Sequence, residues 1–97
     1  MTRVTLKPNA KVSRPDSVLV RELGGELVLL NLDSESYFGL DEVGARMWHE
    51  LLAGPTVEAA CERLLAEFDV EPAQLRADLD HLVWRLREAQ LIQVLDA

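Results

Sequence analysis

The chain has few of the residues that mark a disulfide-linked, secreted or membrane-spanning protein. Its single cysteine, Cys61, cannot form an internal disulfide, which fits a reducing cytoplasm. No apolar run approaches the roughly 20 residues needed to cross a bilayer. The N-terminus also lacks the apolar stretch of a signal peptide. With 97 residues, 48% of them apolar, the chain suits one modest core. We therefore expect a cytoplasmic globular domain with no membrane partner.

Catalytic and metal-binding patterns are equally scarce. His49 and His81 are far apart, and neither stands in a set of cysteines and carboxylates at metal-ligand spacing. Cys61 lies in an apolar helical segment, which is more typical of a buried thiol than of a nucleophile. The glycines do not form a phosphate-binding loop. We therefore expect no catalytic residue, no metal, no cofactor and no enzymatic activity.

Charge is unevenly distributed along the chain. Four basic residues precede the first acid: Arg3, Lys7, Lys11 and Arg14. We interpret residues 1–15 as a basic, solvated N-terminal arm, interrupted by Pro8 and Pro15. Residues 16–97 form the predicted domain and carry all seventeen acids. The net charge of −7 disfavours a nucleic-acid partner, because phosphate backbones repel an acidic surface.

Three antiparallel strands are predicted at 17–23, 26–32 and 35–40. Gly24 and Gly25 tolerate the positive φ of a tight hairpin turn between the first two strands. Asp33 and Ser34 are predicted to form the second turn, which leaves the third strand at an edge of the sheet.

Three helices follow the strands. Asp41 and Thr56 are predicted N-caps of the first and second helices. Pro72 begins the third helix, since the first helical position tolerates a missing N–H. This helix runs to about residue 90, and residues 91–95 form a short terminal strand or an apolar tail. The order predicts an α+β winged helix-turn-helix: a three-stranded antiparallel sheet followed by a three-helix bundle.

Two short segments carry a resemblance to a known family: Leu29-Leu30-Asn31-Leu32 and Tyr37-Phe38-Gly39-Leu40. They resemble the PqqD-like proteins, also called RiPP recognition elements, and the likeness runs from about residue 17 to residue 95. The third helix adds the spaced pattern Asp78, Leu82-Val83, Leu86 and Leu91. Gln90 departs from that pattern, because glycine is common there. Family members hold the leader segment of a precursor peptide for modifying enzymes.

The resemblance implies a peptide-binding site between the third strand and the third helix, where the leader adds antiparallel to the strand. An edge strand suits this role because its unpaired backbone groups can bond a further strand. At matching positions the implied strand residues are Ser34, Glu35, Ser36, Tyr37 and Phe38. The implied helix residues are Leu75, Asp78, Leu79, Leu82, Val83 and Leu86.

A plainer interpretation applies to the helix residues. Leu75, Leu79, Leu82 and Leu86 form one stripe at helical spacing, and such a stripe usually packs into a core. Val83 lies beside this stripe and is the better candidate for touching a peptide. A charge at Val83 is therefore expected to weaken binding and leave the fold intact. Asp78, on the other flank, either contacts the ligand or holds the helix to a neighbouring element.

Trp84 lies almost opposite the leucine stripe at 100° per residue. A large aromatic on that face either packs within the chain or contacts a partner. The internal partners would be Val4 and Leu6 of the arm or the terminal strand. The external one would be a docked maturation enzyme.

We expect this chain to bind a precursor leader and deliver it to a maturation enzyme. No catalytic domain is fused to the short chain, so that enzyme is expected to be a separate polypeptide. By resemblance, a lasso leader peptidase and cyclase are favoured, and a radical SAM enzyme comes next. The alternatives are a winged-helix nucleic-acid-binding regulator and a protein–protein adaptor. Acids interspersed with Arg76, Arg85 and Arg87 on the third helix disfavour the regulator.

Overall fold

A computed structural model describes residues 7–95 of the chain. Its elements, in order, are β1 (Lys11–Ser13), β2 (Val18–Leu23), β3 (Glu26–Asn31), β4 (Tyr37–Leu40), α1 (Glu42–Ala53), α2 (Val57–Glu67), α3 (Pro72–Glu88) and β5 (Gln93–Leu95). β2, β3 and β4 followed by three helices confirm the predicted α+β class. Over the described range, none of the helices has the length and apolar character required to span a membrane.

The main sheet has the strand order β2-β3-β4, and both pairings are antiparallel. The hairpin between β2 and β3 turns at Gly24 and Gly25, whose φ angles are +62° and +90°. Both angles lie in the left-handed region that glycine adopts at little cost, so the sequence prediction for this turn is confirmed. β4 is bonded to β3 on one side and forms an edge of the sheet.

The connection between β3 and β4 differs from the prediction, because β4 begins at Tyr37 and not at Glu35. Asn31 causes this difference. Its side-chain Oδ1 accepts the backbone N–H groups of Asp33 and Ser34, at 2.8 and 3.2 Å. Such a side chain replaces ladder bonds with a local turn. Glu35 then takes a φ of +61°, which extended strands do not contain.

The core lies between the inner face of the sheet and the helices. Each of the larger elements contributes apolar side chains that are nearly inaccessible to solvent. Examples are Leu27 and Leu29 from the sheet, Trp48 and Leu51 from α1, Leu64 from α2, and Leu79 and Leu86 from α3. Burial of each such side chain contributes roughly 1.5–3 kcal/mol to folding.

The first two helices begin at the predicted caps. The Asp41 carboxylate accepts the Gly44 N–H at 2.8 Å, and the Thr56 hydroxyl accepts the Ala59 N–H at 3.1 Å. Arg46 then joins α1 to α2 through Glu67 at 2.7 Å. Hydrogen bonds to Glu67 and Glu50 raise the pKa of Arg46, and the bond from Arg46 lowers the pKa of Glu67.

The N-terminal segment differs from the expected solvated arm. Residues 11–13 form β1, which pairs antiparallel with β5, so Val12 lies opposite Val94. Ala10 and Val12 are buried in the core, and Lys11 Nζ donates to the carbonyl of Gly54 at 2.9 Å. This lysine satisfies a carbonyl at the end of α1 that has no partner within the helix. Residues 10–13 therefore belong to the folded unit, and Pro8 and Pro15 flank β1 without preventing its pairing. The remaining arm residues, 1–6, lie outside the described range.

The C-terminal end of α3 explains the departure at Gln90. The Leu91 N–H donates to Leu86 O at 2.9 Å and the Gln90 N–H donates to Arg87 O at 3.0 Å. These two bonds define a Schellman motif, in which the residue after the C-cap is left-handed. Gln90 has a φ of +62°, so a residue with a Cβ occupies a position that favours glycine.

Replacing Gln90 with glycine is expected to raise the free energy of unfolding by about 0.5–1 kcal/mol, because glycine reaches this φ without the Cβ clash. Urea denaturation followed by circular dichroism would measure the change. Glu88→Gly is the matched control, since Glu88 ends the regular helix and glycine there should cost stability by a similar amount. A Gln90→Gly protein less stable than the wild type would contradict the left-handed assignment.

Candidate functional site

The outer edge of β4 presents unpaired backbone groups. Ser36 O accepts the Asn31 N–H at 2.8 Å, so these two residues form a hydrogen-bonded pair. Antiparallel ladders alternate hydrogen-bonded and non-bonded pairs, which makes Phe38 and Leu29 the next bonded pair. The N–H and C=O groups of Tyr37 and Gly39 therefore point away from β3. No strand of the described range covers that edge.

Side chains of β4 alternate between the two faces of the sheet. Phe38 and Leu40 face the helices, where Leu40 is buried and Phe38 is partly buried against the core. Tyr37 lies on the opposite face and is 76% exposed. A Cβ placed on Gly39 would meet no atom within 4 Å, so the surroundings of this residue are open.

Helix α3 stands beside the same edge. The guanidinium carbon of Arg85 lies 4.7 Å from the centre of the Phe38 ring. Near the end of the helix, Asn31 Nδ2 donates to Gln90 O at 2.6 Å. Because Asn31 pairs with Ser36, these two contacts show that α3 and β4 run in opposite directions past one another. The space between them is the groove, bounded by the β4 edge and the flank of α3 that carries Arg85.

Two stripes run along α3. The buried stripe consists of Leu75, Leu79, Val83 and Leu86, each at most 4% exposed. The second stripe lies on the groove side, follows a spacing of four, three and four residues, and consists of Asp78, Leu82, Arg85 and Ala89. Leu82 and Ala89 are partly buried against the core, whereas Asp78 and Arg85 are exposed.

The structure corrects the expected orientation of Val83. This side chain is only 1% exposed, so it belongs to the buried stripe, and Leu82 takes its place on the groove side. Helical periodicity predicted an apolar stripe on α3. It could not determine which side chains face the core, because apolar residues lie on both sides of the stripe. A charge at Val83 is therefore not compatible with an intact fold.

The other predicted site residues are distributed around the groove. Tyr37 and Phe38 lie in β4, whereas Ser34, Glu35 and Ser36 precede it in the turn. Leu75, Leu79 and Leu86 lie beneath the groove in the core. Asp78 accepts a hydrogen bond from Gln74 Nε2 at 2.8 Å, so its observed bond lies within α3 and not to a neighbouring element.

Trp84 lies away from the groove. It is half-buried, and its ring stacks on His81 with 6.3 Å between the ring centres. The arm residues Val4 and Leu6, which were expected as possible packing partners, lie outside the described residues.

Arg85 is the groove residue that sequence reasoning missed. The sequence analysis treated it as one of three arginines on the third helix whose charge is offset by nearby acids, and assigned it no role in the groove. The signal that could have found it is the second helical stripe, because Arg85 follows Leu82 by three residues and Asp78 by seven. That spacing places all three on one face.

Reactive and metal-binding groups do not gather at the groove. Partial burial raises the pKa of the Cys61 thiol, and this cysteine lies on α2. Within residues 7–95, no group of three or more histidine, cysteine, aspartate or glutamate side chains could hold a metal ion.

The chain matches one known protein family and is similar to solved structures of peptide-binding proteins. Residues 26–92 match the family described as coenzyme PQQ synthesis protein D (PqqD). The chain is similar to a solved structure of TbiB1 in complex with the TbiA(beta) leader peptide, with 32% identity and a TM-score of 0.76. That match covers 82% of this chain and 93% of TbiB1.

A second solved structure is lasso peptide synthetase B1 complexed with the leader peptide. It is 24% identical, has a TM-score of 0.77, and the match covers 86% of this chain and 98% of that chain. At this identity the likeness shows the fold alone. No curated protein matches the chain.

Proposed function

Because the chain belongs to the PqqD family, we propose that it binds the leader segment of a ribosomally synthesised precursor peptide in the groove between β4 and α3. The observation that carries this proposal is the open edge of β4. The backbone groups of Tyr37 and Gly39 point outward there, beside the partly buried side chains of Phe38 and Leu82. The complex of TbiB1 with a leader peptide supports the same ligand class.

In the proposed complex the leader becomes a fourth, antiparallel strand of the main sheet. Tyr37 and Gly39 offer two donors and two acceptors, and each hydrogen bond contributes about 0.5–1.5 kcal/mol net. Ordering five residues of a disordered peptide costs about 5–10 kcal/mol. The backbone bonds therefore offset only part of that cost. Two or three apolar side chains of the leader, buried at roughly 1.5–3 kcal/mol each, must supply the rest.

The function proposed for the groove is to bind and position the peptide. We also propose that the chain delivers the precursor, because the bound leader holds the attached core peptide beside a separate maturation enzyme. Tethering of this kind raises the effective concentration of a substrate to about the millimolar range. A lasso leader peptidase and cyclase are the favoured partners, and a radical SAM enzyme is the next.

Trp84 is the proposed docking point for that enzyme. It stands outside the groove and exposes part of a large aromatic ring, so a partner could contact it while a leader is bound. Aromatic side chains of this kind are enriched where partners make their strongest contacts.

The direct test is a titration. A fluorescein-labelled leader from a precursor encoded near this chain is expected to show saturable binding by fluorescence anisotropy. A scrambled leader of the same composition is expected to bind at least about tenfold more weakly, because the groove selects side chains at alternate positions. Equal binding of both peptides would contradict sequence-dependent recognition. Absence of binding to any nearby leader would favour the adaptor function.

A further inference from the structure

Arg85 is an arginine in the groove wall whose side chain contacts an aromatic ring. Its guanidinium carbon lies 4.7 Å from the centre of the Phe38 ring. Some, but not all, of the other arginines in the described range pair with acids, among them Arg46 with Glu50 and Glu67, and Arg76 with Asp80. Within residues 7–95, no carboxylate forms an ion pair with Arg85. A formal positive charge therefore stands at the groove without an acidic partner there.

Among the described residues, the Arg85 guanidinium donates no hydrogen bond, so its ring contact leaves all of its N–H donors available. A cation above a ring is held by the electrostatic attraction of the ring face, which needs none of the five N–H donors. A carboxylate would accept two of those donors in a bidentate pair, the geometry that arginine matches better than lysine. The ligand group that best matches the N–H donors of Arg85 is therefore a carboxylate.

The ladder pattern fixes where that carboxylate would lie. Phe38 directs its backbone bonds to β3, so it forms a non-bonded pair with the residue opposite it in an added strand. Side chains of such a pair share one face of the sheet, with Cα atoms about 4.5 Å apart. The ligand residue opposite Phe38 therefore projects toward α3 and Arg85.

A neighbouring position of the ligand faces an apolar surface. Along α3, Leu82 precedes Arg85 by three residues, a rise of about 4.5 Å. Along β4, Leu40 lies two residues beyond Phe38, about 7 Å. Because β4 and α3 run in opposite directions, Leu82 lies toward the Leu40 end of the groove. In an antiparallel added strand, the residue opposite Leu40 precedes the residue opposite Phe38 by two positions.

We infer that Arg85 is a specificity-determining residue that selects an aspartate or glutamate in the bound peptide, placed two positions after an apolar residue. This inference rests on the proposed function and specifies what the groove accepts. One acid is expected at this position and not an acidic run, because the net charge of −7 repels a uniformly acidic peptide.

A displayed library of random twelve-residue peptides, selected on the immobilised full chain, tests this inference. Wild-type selections are expected to enrich an acid two positions after an apolar residue. Selections on Arg85→Glu are expected to enrich lysine or arginine at the same peptide position. Arg87→Glu is the matched control, because Arg87 is exposed in the same last turn of α3 but points to another side. It should keep the wild-type pattern.

The possible outcomes separate the two proposals. The role of Arg85 would be overturned if the enriched peptides lack an acid at that position, or if Arg85→Glu enriches the same acid. Either result would still be consistent with peptide binding in the groove. Failure of the wild-type chain to enrich any peptide would overturn the proposed function itself. Circular dichroism melts of both variants would show that the fold is retained, which the exposure of both side chains favours.

A selected peptide then gives the size of the effect. Changing its acid to the neutral amide is expected to weaken binding to the wild type about tenfold, close to 1.4 kcal/mol. With Arg85→Gln, the same peptide change should weaken binding less than about twofold, because the guanidinium that pairs with the acid is absent. Equal losses on both proteins would show that the acid acts elsewhere.

Discussion

Tyr37→Pro is expected to weaken leader binding about a hundredfold or more while the chain remains folded. The Tyr37 N–H points away from β3, so proline removes a donor to the ligand without removing a bond of the sheet. The proline ring also occupies the space through which the added strand would pass. Tyr37 is 76% exposed, so little packing is lost. Anisotropy titration with the labelled leader would measure the loss, with a thermal melt as the check of folding.

The other edge of the sheet provides a matched control. Leu32 N–H donates to Ser17 O at 2.9 Å, and alternation from that pair leaves the Glu22 N–H pointing outward from β2. Glu22→Pro therefore makes the same backbone change on an edge strand at an exposed side chain. It is expected to bind the leader normally. If Glu22→Pro impairs binding as much as Tyr37→Pro, the peptide does not add specifically to β4.

Val83→Asp is expected to lower the free energy of unfolding by about 4 kcal/mol or more, enough to unfold a marginally stable domain. Val83 is 1% exposed and packs among the leucines of α3. An aspartate there is either charged without a partner or protonated at an energetic cost. Urea denaturation followed by circular dichroism would measure this loss.

Leu82→Asp is the comparison that separates the core from the groove. Leu82 is partly buried on the groove side, so the same substitution should cost about half as much stability or less. Its larger effect should be on leader binding, because a charge replaces apolar surface that we propose the leader covers. A Val83→Asp protein with the wild-type denaturation midpoint would show that the two stripes of α3 are assigned the wrong way round.

Local signals in the sequence predicted most of the fold. Gly24 and Gly25 sit at the predicted hairpin, and Asp41 and Thr56 cap the predicted helices, because turns and caps depend on residues a few positions apart. β1 was missed because its pairing with β5 depends on contacts between distant parts of the chain. Its three residues, Lys11–Ser13, also carry little periodicity of their own. The flanking prolines suggested a tail where the chain forms a strand.

Prediction of the site was limited by helix orientation. The family resemblance directed attention to β4 and α3, and periodicity identified the leucine stripe. Neither could decide whether Leu82 or Val83 faces the groove, since that depends on how α3 packs against its neighbours. Arg85 escaped notice for a related reason. Its proposed role depends on contact with the Phe38 ring, which lies far away in sequence.

The pairing of β1 with β5 has a consequence for the order of folding. It joins segments near opposite ends of the described residues. The backbone between β1 and β5 therefore forms a closed ring only when these two strands are paired. Closing so large a loop costs more conformational entropy than forming the β2–β3 hairpin. Strands of three residues form few hydrogen bonds to offset that cost. The ring therefore closes after the sheet and helices have assembled. Opening the ring would release Lys11 from the end of α1 and expose the buried side chains of Ala10 and Val12 to solvent.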